Sequence, residues 1–143
     1  MKNKILVTGA NGFVGTALTD TLTQTGFDVT GCVRRNPVAG QVAIDDIGPD
    51  TDWSLLDQGF DTVVHLAARV HVMQETASDP LDLFRQVNVE GTRRMAEAAA
   101  KANVRRFIFL SSIKVNGEAT LPGQPFSATD TPAPHDNYGL SKW

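Results

Sequence analysis

Tyr138 and Lys142 stand four residues apart near the end of a 143-residue chain, a spacing that puts both side chains on one face of a helix. An ammonium beside a phenol favours the phenolate and lowers a pKa that is about 10 in water. The pair is therefore a candidate acid or base. Ser112 falls at the carboxyl end of an apolar run and could bond a substrate oxygen. At the opposite end of the chain, Thr8, Gly9, Ala10, Asn11, Gly12, Phe13, Val14 and Gly15 spell Gly-x-x-Gly-x-x-Gly between a strand pattern and a helix pattern. Missing Cβ atoms let the backbone approach a pyrophosphate, and the helix N-terminus meets its charge. Alone, Tyr-x-x-x-Lys reads as a surface helix and a glycine triplet as a packing turn. Together, in this order, they read as dinucleotide-dependent redox chemistry.

The end of the second strand bears on which dinucleotide. NAD-preferring domains place an acid about 20 residues beyond the glycine loop, on the adenosine ribose. Here the strand closes Cys32, Val33, Arg34, Arg35 with no acid. Two guanidiniums suit a 2′-phosphate through charge-assisted, bidentate hydrogen bonds; the alternative is a solvated arginine pair. The reading favours NADP(H), with NAD(H) open.

The elements that must position these groups follow from the apolar pattern. Lys4 to Thr8 reads as a buried strand, followed by a helix through Phe13, Val14, Ala17, Leu18 and Leu22 that closes near Gly26. Phe27 to Val33, Gln41 to Ile44 and Asp61 to Leu66 read as further strands, the last apolar enough to be covered on both faces. Asp79 and Pro80 cap and open a helix that runs through Leu83, Val87, Met95 and Ala98 toward Asn103. Arg106 to Ser111 reads as a fifth strand. Alternating strands and helices with short connections predict a doubly wound α/β domain over residues 1–143, with a parallel sheet, right-handed crossovers and ligands at the carboxyl ends of the strands. After Asn116 the glycines and prolines from Gly117 to Pro134 predict a loop of about 20 residues, a length that is usually functional or mobile.

Composition narrows the partners. Hydrophobic residues make up 41% and charged residues 20% of the chain, ordinary for a globular domain. A net charge of −3 and a pI near 5.5 argue against a nucleic-acid or anionic-membrane face. The run Ile5 to Val7 is too short for a signal core or membrane span, so cytoplasmic residence is expected. A single cysteine, Cys32, permits no internal disulfide and reads as a core residue. His71 and His135 lack metal-ligand spacing, so no metal is expected. His65 and Met95 read as packing residues, as does Met73, and Trp53 as a loop anchor. Lys114 is open between meeting a substrate phosphate and being solvated.

At these residues the chain resembles the extended short-chain dehydrogenase/reductase family, the NAD(P)-dependent epimerase/dehydratase group that acts on nucleotide sugars. Thr8 to Gly15 is similar to the family's phosphate loop. Asp46 and Ile47 occupy the place of its adenine-contacting pair, and His65, Leu66, Ala67, Ala68 and Arg69 that of the segment walling the cofactor. Asn88, Gly91 and Thr92 match a helix motif whose asparagine supports the active site. Ser111 to Gly117 match the segment with the catalytic serine, and Tyr138 to Lys142 the segment with the catalytic tyrosine and lysine. The resemblance implies a Rossmann-type fold, Ser112, Tyr138 and Lys142 as catalytic residues, and Lys142 also on the nicotinamide ribose.

Departures from the family pattern separate its chemistries. Sugar-nucleotide dehydratases carry an Asp-Glu pair where this chain has Ile113 and Lys114, so dehydration is not expected. UDP-hexose 4-epimerases commonly read Val-Tyr-Gly where Val115, Asn116 and Gly117 stand, and they hold NAD with the missing acid. The wording from His65 to Met73 and from Ser111 to Glu118 is most similar to a bacterial UDP-glucose 4-epimerase-like subgroup, which includes 4-keto-sugar reductases of polysaccharide synthesis. The resemblance thus implies an NADPH-dependent 4-reductase of a UDP-4-keto-sugar, with a UDP-sugar 4-epimerase as the alternative. A non-catalytic dinucleotide sensor is the alternative of another class; such domains usually lack the tyrosine and lysine pair. In the family the later strands and sugar-binding lobe follow the tyrosine helix, and the usual homodimer forms through a helix bundle that includes that helix. The chain is accordingly expected to be an inactive N-terminal part, its tyrosine helix marginal on its own and its association uncertain.

Overall fold

Residues Lys4–Thr8 form the innermost strand, β1, because every second side chain enters a different core. Leu6 packs with Cys32, Val63, Met95 and Ala99 on one face, whereas Ile5 and Val7 pack with Val33, Val64, Leu18 and Leu22 on the other. A period of two, apolar on both sides, is the signature of a strand buried between layers. The structure, a computed structural model, describes residues 3–70 and 79–143; His71 and Met73 lie outside them.

From β1 the chain runs through α1 (Phe13–Gln24), β2 (Asp28–Val33), β3 (Gln41–Ala43) and β4 (Thr62–His65) to α2 (Pro80–Arg85). A π-helical turn (Gln86–Gly91) then leads into α3 (Thr92–Lys101), β5 (Arg106–Phe109) and α4 (Asn137–Lys142). The five strands are parallel in the order β3-β2-β1-β4-β5. This is the doubly wound arrangement expected from the sequence, with the strand order reversing between β1 and β4, where ligands of such sheets bind.

Strands β2, β3 and β4 are one or two residues shorter than the sequence reading, and two further details differ from it. The helix expected from Asp79 to Asn103 is α, then π, then α, and β5 stops at Phe109 rather than Ser111. The π turn carries one extra residue against a neighbour: a Cβ on Gly91 would lie 2.5 Å from Ile47 Cγ2 and 3.2 Å from the Gly48 nitrogen. Such close approach is what the wider turn accommodates. β5 stands last in the strand order of the described residues, with Ile108 and neighbouring Leu110 44% and 46% exposed. Asp79 does cap α2, its Oδ1 accepting from the Asp82 N–H at 3.0 Å, and Pro80 follows it. Cys32, Trp53 and Met95 are buried in the core, and burial pushes the Cys32 thiol up to about 12, so it stays protonated. Among the described residues no helix is long and apolar enough to cross a membrane.

Leu6 is fully buried at the centre of the sheet. Leu6→Ala should lower the unfolding free energy by about 2–5 kcal/mol, measured as a shift in the urea midpoint with unchanged slope.

Candidate functional site

The carboxyl end of β1 delivers the glycine loop directly onto the end of β4. Gly9 takes φ +66, and a Cβ there would sit 3.0 Å from the Ala67 nitrogen. A Cβ on Gly15 would collide with the Gly9 carbonyl oxygen and the Ala10 backbone. Loop, helix start and β4 exit therefore touch through backbone alone. No side chain caps the N-terminus of α1, so the orphan N–H groups of its first turn remain for an anion. Asn11, Gly12, Phe13 and Val14 are exposed around this cradle. These features fit a dinucleotide's pyrophosphate.

Beneath the cradle lies a polar chain whose proton positions are determined. Thr8 Oγ1 accepts from the Leu66 and Ala67 N–H groups, each at 3.2 Å, and a hydroxyl has two acceptor sites and one proton. It therefore donates to His65 Nδ1 at 2.8 Å. The ring proton must be on Nε2, which donates to Thr92 Oγ1 at 3.0 Å. Burial, and then the Lys142 charge, lower the His65 pKa from 6.5 to about 4, so the ring is neutral in this tautomer at physiological pH. The segment Leu66, Ala67, Ala68 leaves β4 from this anchor, half-buried.

Asn88, on the π turn, joins that segment to α4. Its Oδ1 accepts from the Arg69 N–H at 2.8 Å, and its Nδ2 donates to the Arg69 carbonyl at 3.0 Å and to Ser141 Oγ at 2.9 Å. Ser141 uses its own proton on the Tyr138 carbonyl at 2.8 Å. Every polar atom of the two side chains has a directed partner except spare lone pairs. The helix bearing Tyr138 and Lys142 is thereby tied to the wall that leaves β4.

α4 is only six residues long, below what stands alone in water. It forms because Asp136 Oδ1 caps it, accepting from the Gly139 N–H at 2.6 Å, and because it lies against the turn after Ser112. A Cβ on Gly139 would be 2.7 Å from the Lys114 carbonyl oxygen. Lys114 Nζ meets Glu118 at 2.9 Å and Asp136 at 3.6 Å, an ion-paired arrangement that neither sequence alternative described. Ser112 Oγ accepts from the Lys114 N–H at 3.2 Å. Ser112 and Tyr138 are both half-buried, and Lys142 is 6% exposed, its pKa lowered by burial to about 8. The structure thus gathers these three residues at the carboxyl end of β5.

At the other rim, Arg34 and Asp46 meet across the ends of β2 and β3, Nη1 to Oδ1 at 3.4 Å, with side chains 76% and 87% exposed. Arg35 is also exposed, and Ile47 is buried below Asp46. His135 is an exposed loop residue. Among the described residues no cluster of His, Cys, Asp or Glu could hold a metal ion. The sequence reading placed His65 as a packing residue beside the cofactor wall, and Thr92 and Ser141 within matched motifs but with no role of their own. Their hydrogen-bond roles depend on residues distant in the chain, and no local spacing signals them.

Residues 5–143 match the NAD dependent epimerase/dehydratase family. The chain belongs to that family. Among similar members, UDP-glucose 4-epimerase of Vibrio cholerae is 47% identical over 99% of this chain and 44% of its own length. A short-chain dehydrogenase/reductase superfamily protein from Agrobacterium tumefaciens, solved with bound NAD, matches with a TM-score of 0.78 at 35% identity, over 97% of this chain and 42% of that one. MoeE5 in complex with UDP-glucuronic acid and NAD gives a TM-score of 0.78 at 33% identity, over 97% of this chain and 46% of its own. This epimerase/dehydratase-family chain therefore spans less than half the length of each of these relatives.

The buried neutral His65 makes the stability of this family member pH-dependent. The unfolded chain takes up the imidazole proton near pH 6.5, the folded one only near 4. Stability from the neutral ring is therefore full above 6.5 and lost as pH falls toward 4, about 3 kcal/mol at the limit. Urea unfolding of wild type and His65→Gln across that window should show a steeper loss for wild type; parallel profiles would refute it.

Proposed function

We propose that residues 1–143 are the cofactor-binding N-terminal part of a nucleotide-sugar oxidoreductase that reduces a UDP-4-keto-sugar at C4 with NADPH. The observation that carries the redox reading is the clamping of α4, with Tyr138 and the buried Lys142, onto the turn that begins at Ser112. The cradle of Gly9, Asn11, Gly12, Phe13, Val14 and Gly15 would hold the pyrophosphate, Asp46 and Ile47 the adenine side, and Leu66, Ala67, Ala68 and Asn88 the nicotinamide side. When bound, the dinucleotide exchanges hydride with the sugar carbon.

The chain's own residues account for the proton. Ser112 orients the C4 oxygen by a hydrogen bond. Tyr138 gives its phenolic proton to that oxygen as negative charge develops there, and in the reverse direction takes it back. Lys142, four residues on along α4, would favour the resulting phenolate by its charge and would bond the nicotinamide ribose. Ile113 is exposed and Lys114 is ion-paired where an eliminating enzyme of the family would need two acids, which supports simple reduction at C4 over dehydration.

Arg34 and Arg35 support NADP(H). The Arg34–Asp46 pair is exposed, a kind worth about 0–1 kcal/mol, so the guanidinium can turn to a 2′-phosphate at little cost. A second reading, NAD-dependent 4-epimerisation of a UDP-sugar, is favoured by the Vibrio cholerae relative and by the NAD held in both similar structures. It uses the same residues, with Tyr138 acting first as base. The sugar lobe, later strands and a homodimer contact would belong to the remainder of a longer, soluble cytoplasmic enzyme, and the 143-residue chain alone is expected to turn over no UDP-sugar.

Calorimetric titration with NADPH and NADH separates the readings. The reductase predicts tighter NADPH binding, weakened about tenfold or more by Arg34→Ala, with NADH unaffected. Equal or tighter NADH binding, insensitive to Arg34→Ala, would overturn the NADP(H) assignment in favour of the epimerase.

A further inference from the structure

We propose that Phe109 is a positioning residue for Lys142, its ring face holding the buried ammonium over the carboxyl end of β5. Lys142 Nζ lies 4.0 Å from the centroid of the Phe109 ring, within the range where an aromatic quadrupole attracts a cation. Lys142 is 6% exposed, so water does little to solvate that charge.

No carboxylate of the described residues substitutes for the missing water. Among the described residues Lys142 has no ion pair, and the acids on the elements packed against α4 are engaged elsewhere. Asp136 caps α4 and meets Lys114. Glu90 on the π turn holds Arg93, and Asp82 on α2 accepts from Gln86 at 2.6 Å. Of the other titratable groups, Arg85 on α2 and Lys114 after Ser112 carry like charge, Tyr138 is a phenol on α4 itself, and His65, kept neutral chiefly by burial, stacks on Phe109 with centroids 6.1 Å apart and planes 28° from parallel. The aromatic face is thus the favourable electrostatic contact left to the ammonium, backed by an uncharged ring.

This arrangement has a chemical sense that rests on Lys142 acting on Tyr138 as read above. A carboxylate partner would fix the lysine charge but cancel its field at the phenol. A ring holds the cation through its quadrupole, which falls off steeply with distance, and leaves the net positive charge to act on its neighbours. Phe109 precedes Ser112 by three residues on the strand and its exit, so the residue that orients oxygen and the residue that holds the ammonium are set by one short segment.

The test reads Lys142 itself, with neither substrate nor dinucleotide, so that its failure is separate from failure of the functional reading. The protein is labelled with 13C at the lysine ε-carbons, and the Lys142 signal is identified as the one lost in Lys142→Arg. It should titrate near 8. Replacing Phe109 by mono-, di- and trifluorophenylalanine drains the ring quadrupole with almost no change of shape. The Lys142 midpoint should fall stepwise, by about one pH unit over the series. Phe109→Leu should fall at least as far, and Phe109→Tyr should stay near wild type. A midpoint that is flat across the fluorinated series, or that rises, overturns the proposal. The near-isosteric series keeps the test decisive should the leucine variant fail to fold.

Discussion

One threonine hydroxyl determines how the two halves of the sheet meet. Thr8 Oγ1 is completely buried and spends both lone pairs on the N–H groups of Leu66 and Ala67, which leave β4 without a ladder partner there. Its single proton is thereby committed to His65, and the imidazole is committed to one tautomer. Remove the hydroxyl and two part-buried backbone donors and one buried ring nitrogen lose their partner at once; a buried group left unpaired costs about 1–3 kcal/mol. The glycine loop, the wall after β4 and the start of α3 owe their relative positions to this arrangement.

The π turn extends the same logic outward. Its extra residue per turn puts Asn88 and Gly91 on different neighbours: Asn88 reaches Arg69 and Ser141, and Gly91 lies against Ile47 and Gly48. A regular α-helix would carry these positions with a different phase. π turns inside helices often mark functional sites, and here the irregularity lets one helix touch the turn at Ile47 and Gly48, the wall after β4 and α4 together.

Much of the fold was legible because its physics is local and repetitive. Leu6 between Ile5 and Val7, all apolar, already marks a strand covered on both faces, and Asp79 before Pro80 marks a helix start. The glycine loop was legible because only glycine fits where a Cβ would meet Gly9 or Ala67. Residues whose roles depend on distant partners were not legible. His65 looks like packing until Thr8, 57 positions away, dictates its proton. Ser141 is an ordinary helix serine until Asn88 reaches it. The π turn has no sequence period of its own, and Lys114 was ambiguous because its partners, Glu118 and Asp136, are set by how the following loop returns.

That loop departs after Ser112 and comes back to α4, yet it is closed at its base. The Ala133 N–H donates to the Val115 carbonyl at 2.9 Å, and Asn116 Nδ2 to the Ser127 carbonyl at 3.3 Å. Beyond these ties lies a small exposed tip, where Leu121 and Gln124 bridge around Gly123. The two ties stand between the tip and the segments that carry Ser112 and Tyr138. The tip can therefore be lengthened, shortened or rewritten as an independent module, presenting new surface chemistry while Ser112 and Tyr138 stay where they are.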